Sequence, residues 1–455
     1  MAYSAVNHAS DMTLGKLLKI LSEGGVYNNL PENSMIWDFF LQKKAREDGG
    51  RQLQYELMTD YGPSAVQSTG LSDSAQFPAG QRSSLVEGVA QYKDFDMTIE
   101  YDLSLEKRTG ENLLQYARPL AHEMDAKGLV AGRILSAQCL GDGSGAIGKI
   151  TRIDAADASG IITFDVSSLT ADAGRSHIGW FEEGDIIKCA ATASTARVLV
   201  DSAAGSPTTA KVHAVDHDAG RVSIKKADGA TYELAEDGTW AIGDYIYRMG
   251  TTPNDLSAIS TNDYNTLSEC LVGLESLAAN DSRKVNSVIH EGIVTGSRQS
   301  ASGALLTTKD FQSLVTKIKR RVGNKKYKYE KALMYDRSYD ALVELAEANK
   351  TFFNTVDFET GARKIGFTHR KDFIEFEPDE FVQNQRIFIM PSDKGVIEYH
   401  GRDFQRVDVG GNQFLKPGST AGQYGKQAVA FMSASGALVV KHPAAIGVLE
   451  HFSVS

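Results

Sequence analysis

The stretch Asp94-Phe-Asp-Met-Thr-Ile-Glu-Tyr-Asp-Leu-Ser-Leu-Glu106 decides how this chain is read. Phe95, Met97, Ile99, Tyr101, Leu103 and Leu105 alternate without a slip with Asp94, Asp96, Thr98, Glu100, Asp102, Ser104 and Glu106. Period two predicts a strand with one apolar face and one acidic, wet face. At about 3.3 Å per residue it runs roughly 40 Å, about twice an ordinary strand. A strand of that length needs a partner as long, and the nearest candidate in sequence is a polar arm just upstream. A long strand, a long helix after it and a protruding arm describe a part that interlocks with copies of itself.

The arm is residues 51–93. It opens on a strand-like Gln52–Leu57 and closes on another around Ser84–Tyr92. Between them lie Tyr61-Gly-Pro63-Ser and a Ser/Gly/Gln-rich run that includes Phe77 and Pro78 and ends at Gly80-Gln81. A two-stranded ribbon of this kind is marginal alone in water. Either it is a surface loop, or a neighbouring subunit orders it; strand character on both flanks favours the second reading. Farther upstream, Leu14, Leu17, Leu18 and Leu21 form one helical stripe and Ile36, Phe39, Phe40 and Leu41 another. Too little chain lies there for a domain, so residues 1–50 read as an arm packed on something else. Downstream, Thr109 is placed to cap a helix over 110–140, lined by Leu113, Ala117, Leu120, Met124, Ala131, Ile134 and Leu135, with a kink or late start at Pro119.

Residues 145–250 change character to short β segments between turns, with a faint repeat. Ile150–Asp154, Ile161–Phe164 and Gly184-Asp-Ile-Ile187 are matched by Val212–Asp216, Val222–Ile224 and Gly243-Asp-Tyr-Ile246. Duplicated hairpins in a small barrel or sandwich produce such a pattern. Helical patterns resume over 262–279. The final third is mixed: a capped amphipathic helix at Thr308–Val322, a strand at Ala332–Tyr335, a helix at Arg337–Asn349, then strands at Phe373–Phe376, Arg386–Met390, Gly395–Tyr399 and Ala428–Val440.

A chain of 455 residues is expected to form two or three lobes. The net charge of −10 argues against a surface that grips nucleic acid as a whole. Cys139, Cys189 and Cys270 are far apart and form no CxxC pair, which fits buried thiols in a reducing cytoplasm. No apolar run reaches the roughly 18 residues of a membrane span, and the first residues lack a signal peptide's pattern, so a soluble cytoplasmic product is expected. Gly143-Ser-Gly-Ala-Ile-Gly148 matches GxGxxG, but it follows a helix and opens none, so it reads as a flexible joint and not a dinucleotide fingerprint. His290-Glu291 and Asp216-His-Asp218 fit turn chemistry better than acid–base or cation sites. No cofactor or metal motif is present. The basic run Lys317, Lys319, Arg320, Arg321, Lys325, Lys326, Lys328 and Lys331 faces only Glu330. A solvated helix end explains it most simply; the sharper reading is a contact with packaged nucleic acid or with an acidic patch on a neighbour, such as Asp94–Glu106.

The order of these parts resembles that of tailed-phage major capsid proteins, an α+β architecture of the Hong Kong 97 type that encapsulins also use. The resemblance rests on order and local pattern over most of the chain outside 145–250, including Lys331-Ala-Leu-Met-Tyr-Asp-Arg-Ser-Tyr-Asp-Ala-Leu342, Gly361–Phe367 and Gln385–Met390. It implies an N-terminal arm at 1–50, an extended hairpin or E-loop at 51–93, and a peripheral-domain strand with a spine helix at 94–144. It implies further peripheral domain at 251–330, an axial domain at 331–425, and a return to the peripheral domain at 426–455. Residues 145–250 would be an inserted β-rich barrel or sandwich lobe on the outer surface. The function implied is a non-enzymatic structural subunit of an icosahedral virion capsid, assembled in the host cytoplasm into hexamers and pentamers around double-stranded DNA. DNA would be held by weak nonspecific contact. Further implied partners are a separate scaffolding protein, a portal and a decoration protein, with no membrane. Expected intersubunit contacts are Tyr61, Pro63, Phe77, Pro78, Phe95, Tyr101, Arg320, Arg321, Lys325 and Lys326. Some members crosslink an E-loop lysine to a neighbour; residues 52–92 contain no lysine, so a non-covalent shell is expected. An encapsulin-type compartment shell is the alternative, and a carbohydrate-acting enzyme, which needs a carboxylate pair in a pocket, is a distant third.

Overall fold

The structure is a computed structural model. It describes residues 34–44, 52–60, 84–102, 129–154, 161–166, 177–192, 195–196, 209–225, 240–248, 270–279, 284–285, 288–289, 298–300, 306–322, 327–348, 355–356, 363–364, 366–369, 372–406, 427–450 and 452. The stripe Leu14–Leu21, the cap Thr109, Pro119 and the pair His290-Glu291 lie outside them.

The period-two stretch forms β4, Lys93–Asp102, and residues 103–106 lie outside the described chain. Its partner is not the upstream arm. β4 pairs antiparallel over its full length with β17, Gln427–Val440, from Gln427 opposite Asp102 to Gly436 opposite Lys93. Fourteen residues let β17 serve two neighbours, and its other end pairs with β16, Ile397–Arg406. β1, Leu41–Lys44, adds in parallel to β16, giving the order β1-β16-β17-β4. The helical spacing of Ile36, Phe39, Phe40 and Leu41 resolves differently from expectation, as a 3-10 turn at Met35–Phe39 that runs into β1. Burial decides this. Ile36, Trp37, Phe39 and Phe40 are all buried and only Met35 and Asp38 are exposed, too few for the polar face of a surface helix. Trp37 donates to Ser136 Oγ at 2.8 Å and meets Tyr399 edge-on, which ties this end of the N-terminal segment to its own chain.

The upstream arm forms its own two-stranded antiparallel ribbon, β2 (Gln52–Asp60) with β3 (Ser84–Gln91). Of the long helix, residues 129–140 are described as α1.

The β-rich middle is a closed barrel. β5 (Ala146–Ile153), β6 (Ile162–Val166), β7 (Ile186–Thr192), β8 (Thr209–Asp216), β9 (Arg221–Lys225) and β10 (Tyr245–Arg248) pair in the ring β10-β5-β6-β9-β8-β7, and β7 closes on β10. The repeat read in the sequence governs the closure. Gly184 N–H donates to Val212 O and Val212 N–H to Asp185 O; in the other half Gly243 N–H donates to Ile150 O and Ile150 N–H to Asp244 O. Each Gly-Asp turn is thus bonded to the first strand of the opposite half. Gly184 (φ +91°) and Gly243 (φ +97°) sit in the left-handed region that side chains disfavour, which explains glycine at both. Ile150, Phe164, Ile187, Val212, Val222, Ile224 and Ile246 fill the interior.

A mixed six-stranded sheet completes the body: β11 (Arg298–Ser300), β18 (Gly447–Glu450), β15 (Arg386–Pro391), β12 (Tyr329–Met334), β14 (Asp372–Pro378) and β13 (Gly366–His369), in that order. β15 is buried at every residue. α2 (Thr308–Val322) and α3 (Asp336–Ala348) pack on this sheet. α2 has the bounds its sequence predicts, with Phe311, Leu314, Val315, Ile318 and Val322 buried. Thr307 caps it: its N–H and hydroxyl both donate to Asp310 Oδ2, at 3.0 and 2.6 Å.

The joint between α1 and the barrel is packed, not flexible. Asp142 and Ser144 are buried, Ser144 N–H donates to Asp142 Oδ1 at 2.8 Å, and Ser276 Oγ donates to Asp142 O at 2.5 Å. Residues 270–279 thus return to the point where the chain enters the barrel.

Candidate intersubunit surfaces

The β2–β3 ribbon is fastened at its root. The register sets Leu53 opposite Ala90 and Tyr55 opposite Gly88, on one face. Tyr55 and Ala90 are buried there against Ala437 and Val439 of β17, with Leu53 and Tyr92 beside them. On the other face the register sets Glu56 opposite Glu87, a like-charge cross-strand position that weakens a sheet. The two strands carry Glu56, Asp60 and Glu87 and no base.

β4 extends the same charge. Asp94 stands opposite Ser435 and Asp96 opposite Ser433, and both aspartates are exposed. By the alternation of a strand they share the side of the sheet that carries Tyr92 and Ala437, where the ribbon root rests. Phe95, opposite Ala434, points to the other side and is half-buried. Tyr101 stands opposite Ala428 in the register.

α2 has the opposite sign: Lys309, Lys317, Lys319, Arg320 and Arg321 against Asp310. Lys309, Lys317 and Arg320 are exposed, while Lys319 is buried, so the basic run is not uniformly solvated. Among the described residues no carboxylate pairs with Lys309, Lys317 or Arg320. At the far end of the run Lys331 pairs with Glu377 at 2.6 Å. Tyr61, Pro63, Phe77, Pro78, Lys325 and Lys326 lie outside the described residues, and Arg321 is placed by its helix backbone alone.

Two charged clusters escaped the sequence reading, because each draws members from distant parts of the chain. Glu398 on β16 is buried, and its Oε1 accepts from Lys43 of β1 at 2.7 Å and Lys441 at 2.6 Å; its Oε2 lies 3.1 Å from His400 Nε2. Burial pushes this carboxyl up, but the three hydrogen bonds outweigh burial and hold it at about 2. Burial also lowers the His400 imidazole from its ordinary value. Arg386 on β15 is buried with Glu275 on one side and Glu450 of β18 on the other, the latter at 3.0 Å.

The barrel is docked on the six-stranded body by a short segment, 177–181. His177 is fully buried, with Nε2 2.7 Å from Glu380 O and its ring edge-on to Tyr335. Burial takes its imidazole down to about 4, so it is neutral at physiological pH. Trp180 donates to Phe381 O at 2.9 Å. Gly179 passes so close to Glu380 O that a Cβ there would stand 2.2 Å away. Arg133 of α1 pairs with both Glu182 and Glu380, spanning barrel and body.

For chemistry the described residues offer little. They hold no group of three metal-ligating side chains. Asp216 Oδ1 accepts from the N–H of Asp218 and Ala219, which is turn chemistry, as expected. A cleft of about 50 Å³ at the α1–barrel joint has Asp142 as its one carboxylate. Cys139, Cys189 and Cys270 are buried thiols, none of them in a disulfide, and burial pushes Cys139 up. No described helix is long and apolar enough to cross a membrane.

No family model and no curated protein matches the chain. Among solved structures, it is similar to the Cyanophage A-1(L) capsid asymmetric unit at 8% identity, over 92% of each chain, with a TM-score of 0.43. It is similar to a structure from Mycobacterium phage Adephagia at 9% identity, over 93% of this chain and 91% of that one, with a TM-score of 0.39. A Synechococcus elongatus encapsulin aligns at 16% identity over 40% of this chain and 60% of its own, with a TM-score of 0.26. The alignments that span about nine tenths of the chain are to structures from phages, one of them a capsid asymmetric unit.

Proposed function

We propose that this chain is the structural subunit of an icosahedral phage shell, assembling without catalysis into hexamers and pentamers that enclose double-stranded DNA. The observation that carries the reading is the β2–β3 ribbon. It is a two-stranded sheet with no third strand among the described residues, it packs chiefly on β17 and on the short strand Lys284–Val285, and its cross-strand pairs include Glu56 with Glu87. Such a ribbon is marginal by itself, and a neighbouring copy laid against it supplies the missing surface, so arm order and assembly become one event. In this reading the ribbon is the E-loop, α1 is the end of the spine helix, β4 and β17 belong to the peripheral domain, and β12 to β15 with α3 belong to the axial domain. The barrel is an insertion between α1 and residues 270–279, on the outer surface where added lobes are tolerated. A separate scaffolding protein and a portal complete the assembly.

Electron microscopy of the full chain after a sizing column, with and without a scaffolding protein, tests this. Rings, tubes or shells are expected, and particles from infected cells should hold DNA. A chain that stays monomeric with scaffold present overturns the reading. Particles filled with protein cargo and free of DNA would turn it to a compartment shell.

A further inference from the structure

Two charged surfaces among the described residues are opposite in sign and do not pack on each other. One is the side of the molecule formed by the ribbon and β4, where Glu56, Asp94 and Asp96 are exposed and the register adds Glu87. The other is the exposed face of α2, with Lys309, Lys317 and Arg320. At about 100° per residue these three fall within one third of the helix circumference, opposite Phe311, Leu314 and Ile318. Inside one copy, α2 packs chiefly on β18, the 443–445 turn, β13 and β11, while the ribbon packs on β17 and on the short strand Lys284–Val285. Neither surface therefore neutralises the other within the chain. Each instead carries a local excess: acid on a ribbon weakened by like charge, base at the end of a helix.

We propose that the basic face of α2 in one copy docks against the acidic side of the ribbon and β4 in the next copy. The contact is heterologous: it joins two different surfaces, so every copy offers one of each and the contact propagates around a ring. This goes further than the shell reading and rests on it. It names what the ribbon meets and which charges set the order around the capsomer. It also gives the Glu56–Glu87 position a purpose, since a lysine or arginine from the neighbour relieves the repulsion. Charge pairs of this kind steer encounter and suppress wrong orientations more than they add affinity.

Charge reversal tests the pairing. One variant carries Glu56→Lys, Asp94→Lys and Asp96→Lys; a second carries Lys317→Glu and Arg320→Glu. All five positions are exposed, so both chains should fold, as checked by circular dichroism and the thermal midpoint. Each alone should lose rings and shells, with the concentration needed for assembly rising at least ~10-fold. Mixed in equal amounts, the two variants should form six-membered rings and tubes again, because alternation gives each copy its complement at both surfaces, whereas a five-membered ring cannot alternate and closed shells stay absent from the mixture. All five substitutions in one chain should restore assembly too. Folded variants that assemble separately at the wild-type concentration overturn the pairing and leave the shell reading intact. Folded variants that fail to rescue each other overturn it as well. A wild-type chain that never assembles removes both.

Discussion

At the residue scale, buried charge carries the sharpest expectations. Glu398 joins three separate parts of the chain through Lys43, His400 and Lys441. Its carboxyl sits at about 2 in the folded chain against an ordinary 4.5. A depressed carboxyl contributes stability that is complete above the unfolded value and is lost as pH falls through the folded one. Stability should therefore decline between about pH 4.5 and pH 2 in part because of this residue. Glu398→Gln should lower the urea midpoint at pH 7 and flatten that acid limb; an acid limb identical to wild type would remove Glu398 from the account. Arg386 gives a second expectation. Arg386→Met leaves the buried Glu450 and the half-buried Glu275 without their shared cation, and breaking a buried pair from one side costs about 3–5 kcal/mol. The loss should appear in denaturant unfolding, and a loss under ~1 kcal/mol would mean that solvent reaches the site. Neither cluster was legible in the sequence. Glu398 and His400 are two apart on one strand, but Lys43 reaches them only through the parallel addition of β1 to β16, and Lys441 only through the pairing of β16 with β17.

At the scale of elements, what the sequence shows and what it hides divide along one physical line. Local periodicity fixes an element, so the bounds of α2 and the alternation of β4 were both readable. Partners are not local. β4 pairs with β17, more than 300 residues later, and not with the adjacent arm. The barrel shows both sides of this division. Its two Gly-Asp turns and six strands were visible as a repeat, but its closure through β7 and β10 was left open between barrel and sandwich. The segment at 177–181 that docks it gave no signal, since a buried His beside Gly and Trp has no period to read. That segment carries the element-scale prediction. Gly179→Ala drives a Cβ into a backbone carbonyl that cannot rotate away. The cost should be about 1–3 kcal/mol, felt at the joint while the barrel keeps its own core. Hydrogen exchange should speed up around 177–181 and 379–383 and stay unchanged in β6 and β9. Faster exchange throughout the barrel would show that joint and barrel fold as one unit.

At the scale of the whole molecule, the question is what holds one copy to the next. The ribbon and the chain between its strands, residues 52–92, contain no lysine, so an arm-to-neighbour isopeptide bond has no amine there. Particles boiled in detergent should run as a single unlinked band, and a ladder of covalent oligomers would contradict this. The remaining forces are burial and charge, and they respond oppositely to salt. Raising NaCl from ~0.1 to ~1 M shortens the Debye length from about 10 to about 3 Å, which screens contacts between exposed charges. Apolar contacts are unaffected or strengthened, most of all by strongly excluded salts such as sulfate. If the ribbon–α2 contact orders the ring, the concentration required for assembly should climb with NaCl and then fall again in sulfate at equal ionic strength. A monotonic gain in assembly with both salts would place the cohesion in apolar surface, at the ribbon root and the strands beyond it, and reduce the charges to steering alone.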